Sequence, residues 1–169
     1  KVGEIVWKSL WHIAGARFYL KSGNPEEALK ECDEAWRSAA EADYLTSQRD
    51  ALYNRGLAFL EMKAMDEAQE AAHDLREIIE KGLNKKLMRL YYHLTGRIEL
   101  DRANFSKAIE YFKKALNLEY GPLTIDALFI DSLASSYYKA GDLEKAREEY
   151  ERITSLTTGR LSHGDIYAK

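Results

Sequence analysis

Apolar residues recur along the chain three and four positions apart, the spacing that gives a helix one buried face. Trp7, Leu10, Trp11, Ala14, Phe18 and Tyr19 form the first such stripe, and Ala28, Leu29, Cys32, Ala35, Trp36 and Ala39 form the second. Both are expected to face a core. The aromatic residues of the first read more simply as packing than as a ligand cage. Continued along the chain, the pattern predicts helices over 4–22, 25–42, 46–62, 65–81, 85–102, 105–118, 123–140 and 143–156.

The helices form a repeat. Ala28, Ala68, Ala108 and Ala146 are spaced by 40, 40 and 38 residues. Twelve residues before each of these anchors stands a small residue: Ala16, Gly56, Gly96 and Ala134. Nine before stand Tyr19, Phe59, Glu99 and Tyr137, with Glu99 the departure from an aromatic series. Seven after stand Ala35, Leu75, Ala115 and Ile153, all apolar, and four after stand Cys32, Ala72, Phe112 and Tyr150. A fixed period of this size is the signature of stacked helical units, and small residues at fixed places on successive helices let two backbones approach closely.

Each copy has a helix break before its anchor: Gly23-Asn24-Pro25, Lys63-Ala64-Met65, Ala103-Asn104-Phe105 and Gly141-Asp142-Leu143. Asn24, Asn104 and Asp142 suit a helix N-cap, and Pro25 suits the first helical turn. Gly23 and Gly141 suit a left-handed helix end. The second break has no capping residue and is expected to be the least sharply defined turn. Thr46 or Ser47 is expected to cap the third helix, and Gly82 to stop the fourth.

This pattern resembles the tetratricopeptide repeat, on Ala16/Tyr19/Ala28, Gly56/Phe59/Ala68, Gly96/Ala108/Phe112 and Ala134/Tyr137/Ala146/Tyr150. The period exceeds the family's usual 34 residues or so. The family's Trp near the start of the first helix is replaced by His12, Leu52, Tyr92 and Ile130. Pro122 alone stands where a proline closes a unit. The resemblance implies an all-α fold: a right-handed superhelical solenoid of antiparallel helix pairs. It would be a single domain over 1–169, with repeats at about 4–42, 46–82, 85–120 and 123–156. From Gly164 a further helix is expected to begin, so 164–169 reads as the start of a fifth repeat. The tail is similar to segments linking repeats in longer bacterial arrays, which are often joined to signalling or DNA-binding modules.

Charge changes the picture in one respect. With 25 basic and 28 acidic side chains the formal net charge is −3, which argues against general nucleic-acid binding. There is no run of about 18 apolar residues to cross a membrane, and no signal peptide is visible. A cytoplasmic location is therefore expected. The single cysteine, Cys32, cannot form an internal disulfide, and its apolar repeat position suggests buried packing.

No catalytic constellation emerges. His12, His73, His93 and His163 include no pair four residues apart, and there is no Cys-x-x-Cys. The expectation is no metal, no cofactor and no enzymatic activity. The acidic runs Glu26-Glu27 and Glu148-Glu149 read as solvated faces.

Binding remains. The resemblance implies that the first helix of each pair lines the concave surface. Fifteen residues before the anchors stand Ile13, Tyr53, His93 and Asp131, and eleven before stand Arg17, Leu57, Arg97 and Ser135. Eighteen before stand Leu10, Asp50, Leu90 and Leu128, and seven before stand Lys21, Glu61, Asp101 and Lys139. With Asn54 and Tyr138, the first two rows make the expected partner-binding set. Arg17, His93 and Arg97 would take a carboxylate or phosphate, while Tyr53 and Tyr138 would stack on peptide side chains. The competing expectation is that the two arginines pair internally, with groups such as Glu61 or Asp101. Only Asn54 matches the carboxylate clamp of the family's chaperone-binding members; Ile13, Arg17, Leu90 and Leu94 occupy its other offsets, so chaperone-tail binding is not expected.

The reading is a non-catalytic scaffold that binds a peptide or protein segment in its groove. The alternatives are a sensory or regulatory segment of a larger bacterial signalling or transcription protein, an enzyme, and a pure oligomerisation element. End-to-end self-association is also expected, through Phe129, Leu133, Tyr137 and Tyr150 of the fourth repeat.

Overall fold

The computed structural model describes the backbone of residues 2–118 and 123–157, with the side chains of 2–118 and 126–154. The expected fifth repeat at 164–169 lies outside the described residues. The helices are α1 (Val2–Lys21), α2 (Pro25–Glu41), α3 (Leu45–Glu61), α4 (Met65–Lys81), α5 (Met88–Asp101), α6 (Phe105–Leu116), α7 (Leu123–Lys139) and α8 (Leu143–Thr157). Among the described residues there is no strand. A short 3₁₀ turn, Lys85–Leu87, precedes α5 where the sequence suggested regular helix.

The chain divides into two compact units, between Lys85 and Lys86. The first holds α1 to α4, with α1 packed on α2, α2 on α3, α3 on α4, and α1 on α3. The second holds α5 to α8 in the same order of neighbours. Each unit is thus two helix pairs.

The anchors set the pairing. Ala16, Ala28, Ala68, Ala108 and Ala134 are wholly buried, and Ala146 nearly so. At Gly96 a Cβ would lie 2.6 Å from the Phe112 ring, so only hydrogen fits at that contact. Phe112 is itself wholly buried and shares a cluster with Leu100, Ala108, Leu133, Tyr137 and Ala146. In the first unit, Ile13, Ala35 and Ala51 form a smaller cluster closed by Trp36.

Glu99, the one polar residue in the aromatic series, is buried and accepts hydrogen bonds from Asn104 Nδ2 at 2.9 Å and Arg102 Nη1 at 3.4 Å. The charge is accommodated because its lone pairs are satisfied. That bond also takes Asn104 away from capping: neither Asn104 nor Asn24 makes a side-chain cap bond. Asp142 does, accepting from the Lys145 N–H at 3.3 Å. Neither Thr46 nor Ser47 caps α3. Its N-cap is Tyr44, and Ser47 instead bonds Ser9.

The turns within the four pairs are alike despite their different sequences. In each, a residue with positive φ follows the first helix: Gly23 (72°), Lys63 (62°), Ala103 (59°) and Gly141 (84°). The next residue's N–H reaches back five positions, as in Ala64 N to Phe59 O at 2.9 Å and Asn104 N to Glu99 O at 2.8 Å. This is the Schellman closure, which satisfies helix-end carbonyls. The second turn, expected to be the loosest, has the same closure; backbone bonds hold it where no side chain does. Gly82 ends α4 differently, in an extended conformation with φ −78°.

Two expectations about aromatic residues fail. Trp7, Trp11 and Phe18 are 67%, 75% and 65% exposed, while α1 turns Ser9, Ile13 and Ala16 inward. The helical period was right, but the core face lies about half a turn from the aromatic stripe. In the fourth repeat, Phe129, Leu133 and Tyr137 are buried within the second unit, and only Tyr150 of the four residues expected at an open end is exposed.

Lys63 and Ala103 hold a conformation that disfavours a Cβ. Replacing either with glycine should stabilise the chain by about 0.5–1 kcal/mol, raising the thermal midpoint by roughly 1–4 °C. Thermal unfolding followed by circular dichroism checks this. Ala64→Gly, at φ −84°, is the control and should lower the midpoint.

Candidate protein-binding faces

The expected binding set divides by burial. Of the row fifteen residues before the anchors, Ile13, Tyr53 and His93 are buried, and Asp131 is half-buried. None of the row eleven before is buried: Arg17 is exposed, and Leu57, Arg97 and Ser135 are half-buried. The two rows are four residues apart on each helix, so they differ by about 40° around its axis. That rotation separates core from surface. The side chains of Ile13, Tyr53, Asn54 and His93 are enclosed.

In the first unit, Ile13 belongs to the α1–α2–α3 cluster. Asn54 is 2% exposed, and its Nδ2 donates to Asp50 O at 2.7 Å, one turn back on its own helix. Arg17 reaches across from α1 to α3 and donates to Asp50 Oδ2 at 3.2 Å. Arg49 holds the other oxygen, donating from Nε and Nη2 to Asp50 Oδ1 at 2.8 and 2.6 Å. Asp50, rather than Glu61, is thus the partner of Arg17. The Arg17 side chain stays 56% exposed while paired, and an ion pair this open contributes about 0–1 kcal/mol.

In the second unit, His93 lies at the centre of a buried cluster. Its ring stacks on Phe129 at 4.3 Å between centroids, and Phe112 lies 5.5 Å away. Ser132 donates its hydroxyl to Leu128 O at 3.1 Å. The Ser132 oxygen also lies 3.0 Å from His93 Nε2, within hydrogen-bond distance. Burial, with the charges of Arg97 and Arg89 adding to it, holds the ring well below the usual histidine pKa.

Arg89 was not singled out by the sequence. It is 1% exposed, pairs with Asp126 across α5 and α7, and lies with its guanidinium carbon 4.9 Å from the Phe129 ring centroid. The available signal was its offset of nineteen before the anchor, shared with Arg49, which also engages an aspartate.

Arg97 and Asp131 face the same side of the second unit. Burial raises the Asp131 carboxyl above its ordinary pKa, and the Arg97 charge pulls it back only in part. Ser135 and Tyr138 follow Asp131 on α7 at four and seven residues, on the same helical face, and Tyr138 is 64% exposed.

Cys32 is 1% exposed, and burial pushes its thiol up to about 12. Among the described residues, no three His, Cys, Asp or Glu side chains are arranged to hold a metal ion. Nor is any helix among them long and apolar enough to cross a membrane.

A model of the tetratricopeptide repeat matches residues 50–79 and 132–156, and a second model of the same repeat matches 90–120. Together they cover about half of the chain. The segments fall on α3–α4, α7–α8 and α5–α6. The first pair lies outside them, yet its Ala16 and Ala28 are wholly buried like the equivalent residues of the matched pairs. No curated protein matches the chain.

The raised pKa of Asp131 means that the folded chain holds this proton more tightly than the unfolded chain does. Stability is therefore lost as pH rises from the ordinary value of 3.8 through the folded pKa, and the loss persists at neutral pH. Asp131→Asn should unfold at a higher temperature than wild type at pH 7, and the difference should vanish as pH falls to 3.8 and below. A lower midpoint for the variant at pH 7 would mean that attraction to Arg97 outweighs burial.

Proposed function

Because the chain belongs to the tetratricopeptide-repeat family, whose repeats mediate protein–protein interaction, we propose that it binds a protein or peptide segment along the open faces of α1 and α3 and of α5 and α7. The family's repeats are typically non-catalytic interaction modules, and the reading here is a scaffold that presents side chains without chemistry.

One observation carries it. The same offset gives each unit an arginine on its first helix, and an aspartate of its third helix feels that charge: Arg17 bonds Asp50, eighteen residues before its anchor, and Arg97 acts electrostatically on Asp131, fifteen before its own. The third helix of each unit adds an uncharged group at the arginines' offset, Leu57 or Ser135. The two faces thus share a design of a forked cation, an anion one helix away, and a small or apolar residue beside them. A peptide offers the matching groups, with carboxylate or carbonyl oxygens for the guanidinium, N–H donors for the aspartate, and an apolar side chain for Leu57. A guanidinium can take a carboxylate with two parallel bonds, so acidic segments are favoured. Arg17 can turn from Asp50 to a partner without leaving that carboxylate unpaired, because Arg49 also holds it. The helices that carry these groups are held by packed cores, so little ordering accompanies binding.

Crosslinked capture from a lysate of the source organism, comparing wild type with Arg17→Glu/Arg97→Glu, tests the reading. Both proteins should show the same helical circular dichroism. Proteins held by wild type should be lost from the double variant, since a central arginine contributes about 2 kcal/mol or more. Equal capture by both would remove these faces from the binding site.

A further inference from the structure

One stripe of α1 is open along its whole length. Glu4, Trp7, Trp11, Ala14, Phe18 and Lys21 are all exposed. They follow one another at alternating steps of three and four, the spacing of a seam between two helices. The buried residues of α1, Ser9, Ile13 and Ala16, lie on the opposite side of the helix. The stripe therefore points away from α2 and α3, on which α1 packs. The equivalent face does pack elsewhere in the chain. At the same distances from their anchors, Ser47, Ala51, Asn54 and Ala58 of α3 and Phe129 and Ser132 of α7 are all buried.

The stripe is complementary to itself. Its midpoint falls between His12 and Ile13, and at equal distances on either side stand Trp11 and Ala14, then Trp7 and Phe18, then Glu4 and Lys21. A two-fold axis through that midpoint sets a second copy of the helix antiparallel to the first and brings each residue opposite its counterpart. Trp11 then meets Ala14, so a large ring faces a methyl group and the layers interdigitate. Trp7 meets Phe18, ring against ring. Glu4 meets Lys21 at both ends, opposite charges each time. The flanking rows agree, because in an antiparallel pair each flank faces its own copy. Lys8 lies opposite Gly15 on one flank and Arg17 opposite Leu10 on the other, so no like charges are opposed. A parallel pair would instead set Glu4 on Glu4 and Lys21 on Lys21.

We propose that the chain forms a two-fold symmetric dimer in which α1 of one copy packs antiparallel against α1 of a second. The pattern of charge and size identifies the occupant, since only a copy of this stripe carries every matching group at the matching distance. A buried Trp or Phe covers roughly 150–250 Å², so six rings about two-thirds exposed would bury roughly 600–1,000 Å² in the dimer. Ala14 and the aliphatic stems of Lys8 and Lys21 bring this towards the 1,200 Å² or so at which standard interfaces begin. The dimer is accordingly weak and reversible. Because the same patch serves both copies, it also closes the assembly at two.

Sedimentation equilibrium of the 169-residue chain tests this, at low ionic strength so that exposed charges are least screened. Wild type should pass from 19.4 kDa to twice that mass, and no further, as its concentration rises to the order of 0.1 mM, where micromolar contacts are occupied. Trp7→Glu/Trp11→Glu should keep the wild-type circular dichroism, since both rings are exposed, and should stay monomeric. The charge variants read the register without touching the rings. Glu4→Lys and Lys21→Glu should each weaken the dimer about tenfold, because each opposes like charges at both ends. The double variant Glu4→Lys/Lys21→Glu should dimerise like wild type. A wild-type chain that stays monomeric, or that grows beyond a dimer, overturns the proposal. So does a dimer that survives the tryptophan substitutions, which places the contact on another surface, or one that both single charge variants leave unchanged, which excludes the antiparallel register.

Discussion

Close approach of two backbones is the constraint on which the rest of the structure depends. In each pair a small residue on the first helix and an alanine on the second are buried together, and no side chain larger than a methyl group stands at either position. Gly96 shows how narrow the tolerance is, with the Phe112 ring occupying the space a Cβ would take. The Phe112 ring therefore lies against the α5 backbone. Phe112 reaches the next pair, Leu133 and Tyr137 meet it, and the second unit acquires a continuous core. Ala35 and Ala51 do the same in the first unit with far smaller groups.

This constraint is why so much of the fold was legible. Small residues at a fixed period can be read directly from the chain, and the helix limits inferred from them fall within a few residues of those observed. The turns were less legible. Lys63-Ala64 carries no glycine and no capping side chain, yet it closes like Gly23-Asn24, because a Schellman closure uses backbone groups that every residue has. Asn104 looked like a cap, and a buried Glu99 five residues away claims it instead. That competition is three-dimensional and leaves no local trace.

The surface was harder still. Offsets from the anchors identified the right helices but could not separate two rows about 40° apart. Ile13, Tyr53 and His93 went inward, whereas Arg17, Leu57, Arg97 and Ser135 stayed open. The composition held a clue, since the row Ile13, Tyr53, His93 and Asp131 contains no lysine or arginine, whereas the row eleven before contains Arg17 and Arg97. The aromatic stripe of α1 misled in the opposite direction. Its spacing is that of a core face, and it is a face that packs in α3 and α7, but within the first unit nothing is left to cover it. His93 and Arg89 show the related point for charge. A polar residue amid helix-forming sequence can be part of the packing when a stacked ring or a carboxylate meets it.

The central claim is that the backbone contacts use up one side of each first-in-pair helix and leave the row eleven residues before the anchors for a partner. Hydrogen–deuterium exchange of the chain, with and without a captured partner, tests it most directly. The account predicts slowed exchange in α1, α3, α5 and α7 around Arg17, Leu57, Arg97 and Ser135, with α2 and α4 unchanged. Protection confined to α2, α4 and α6 would contradict it.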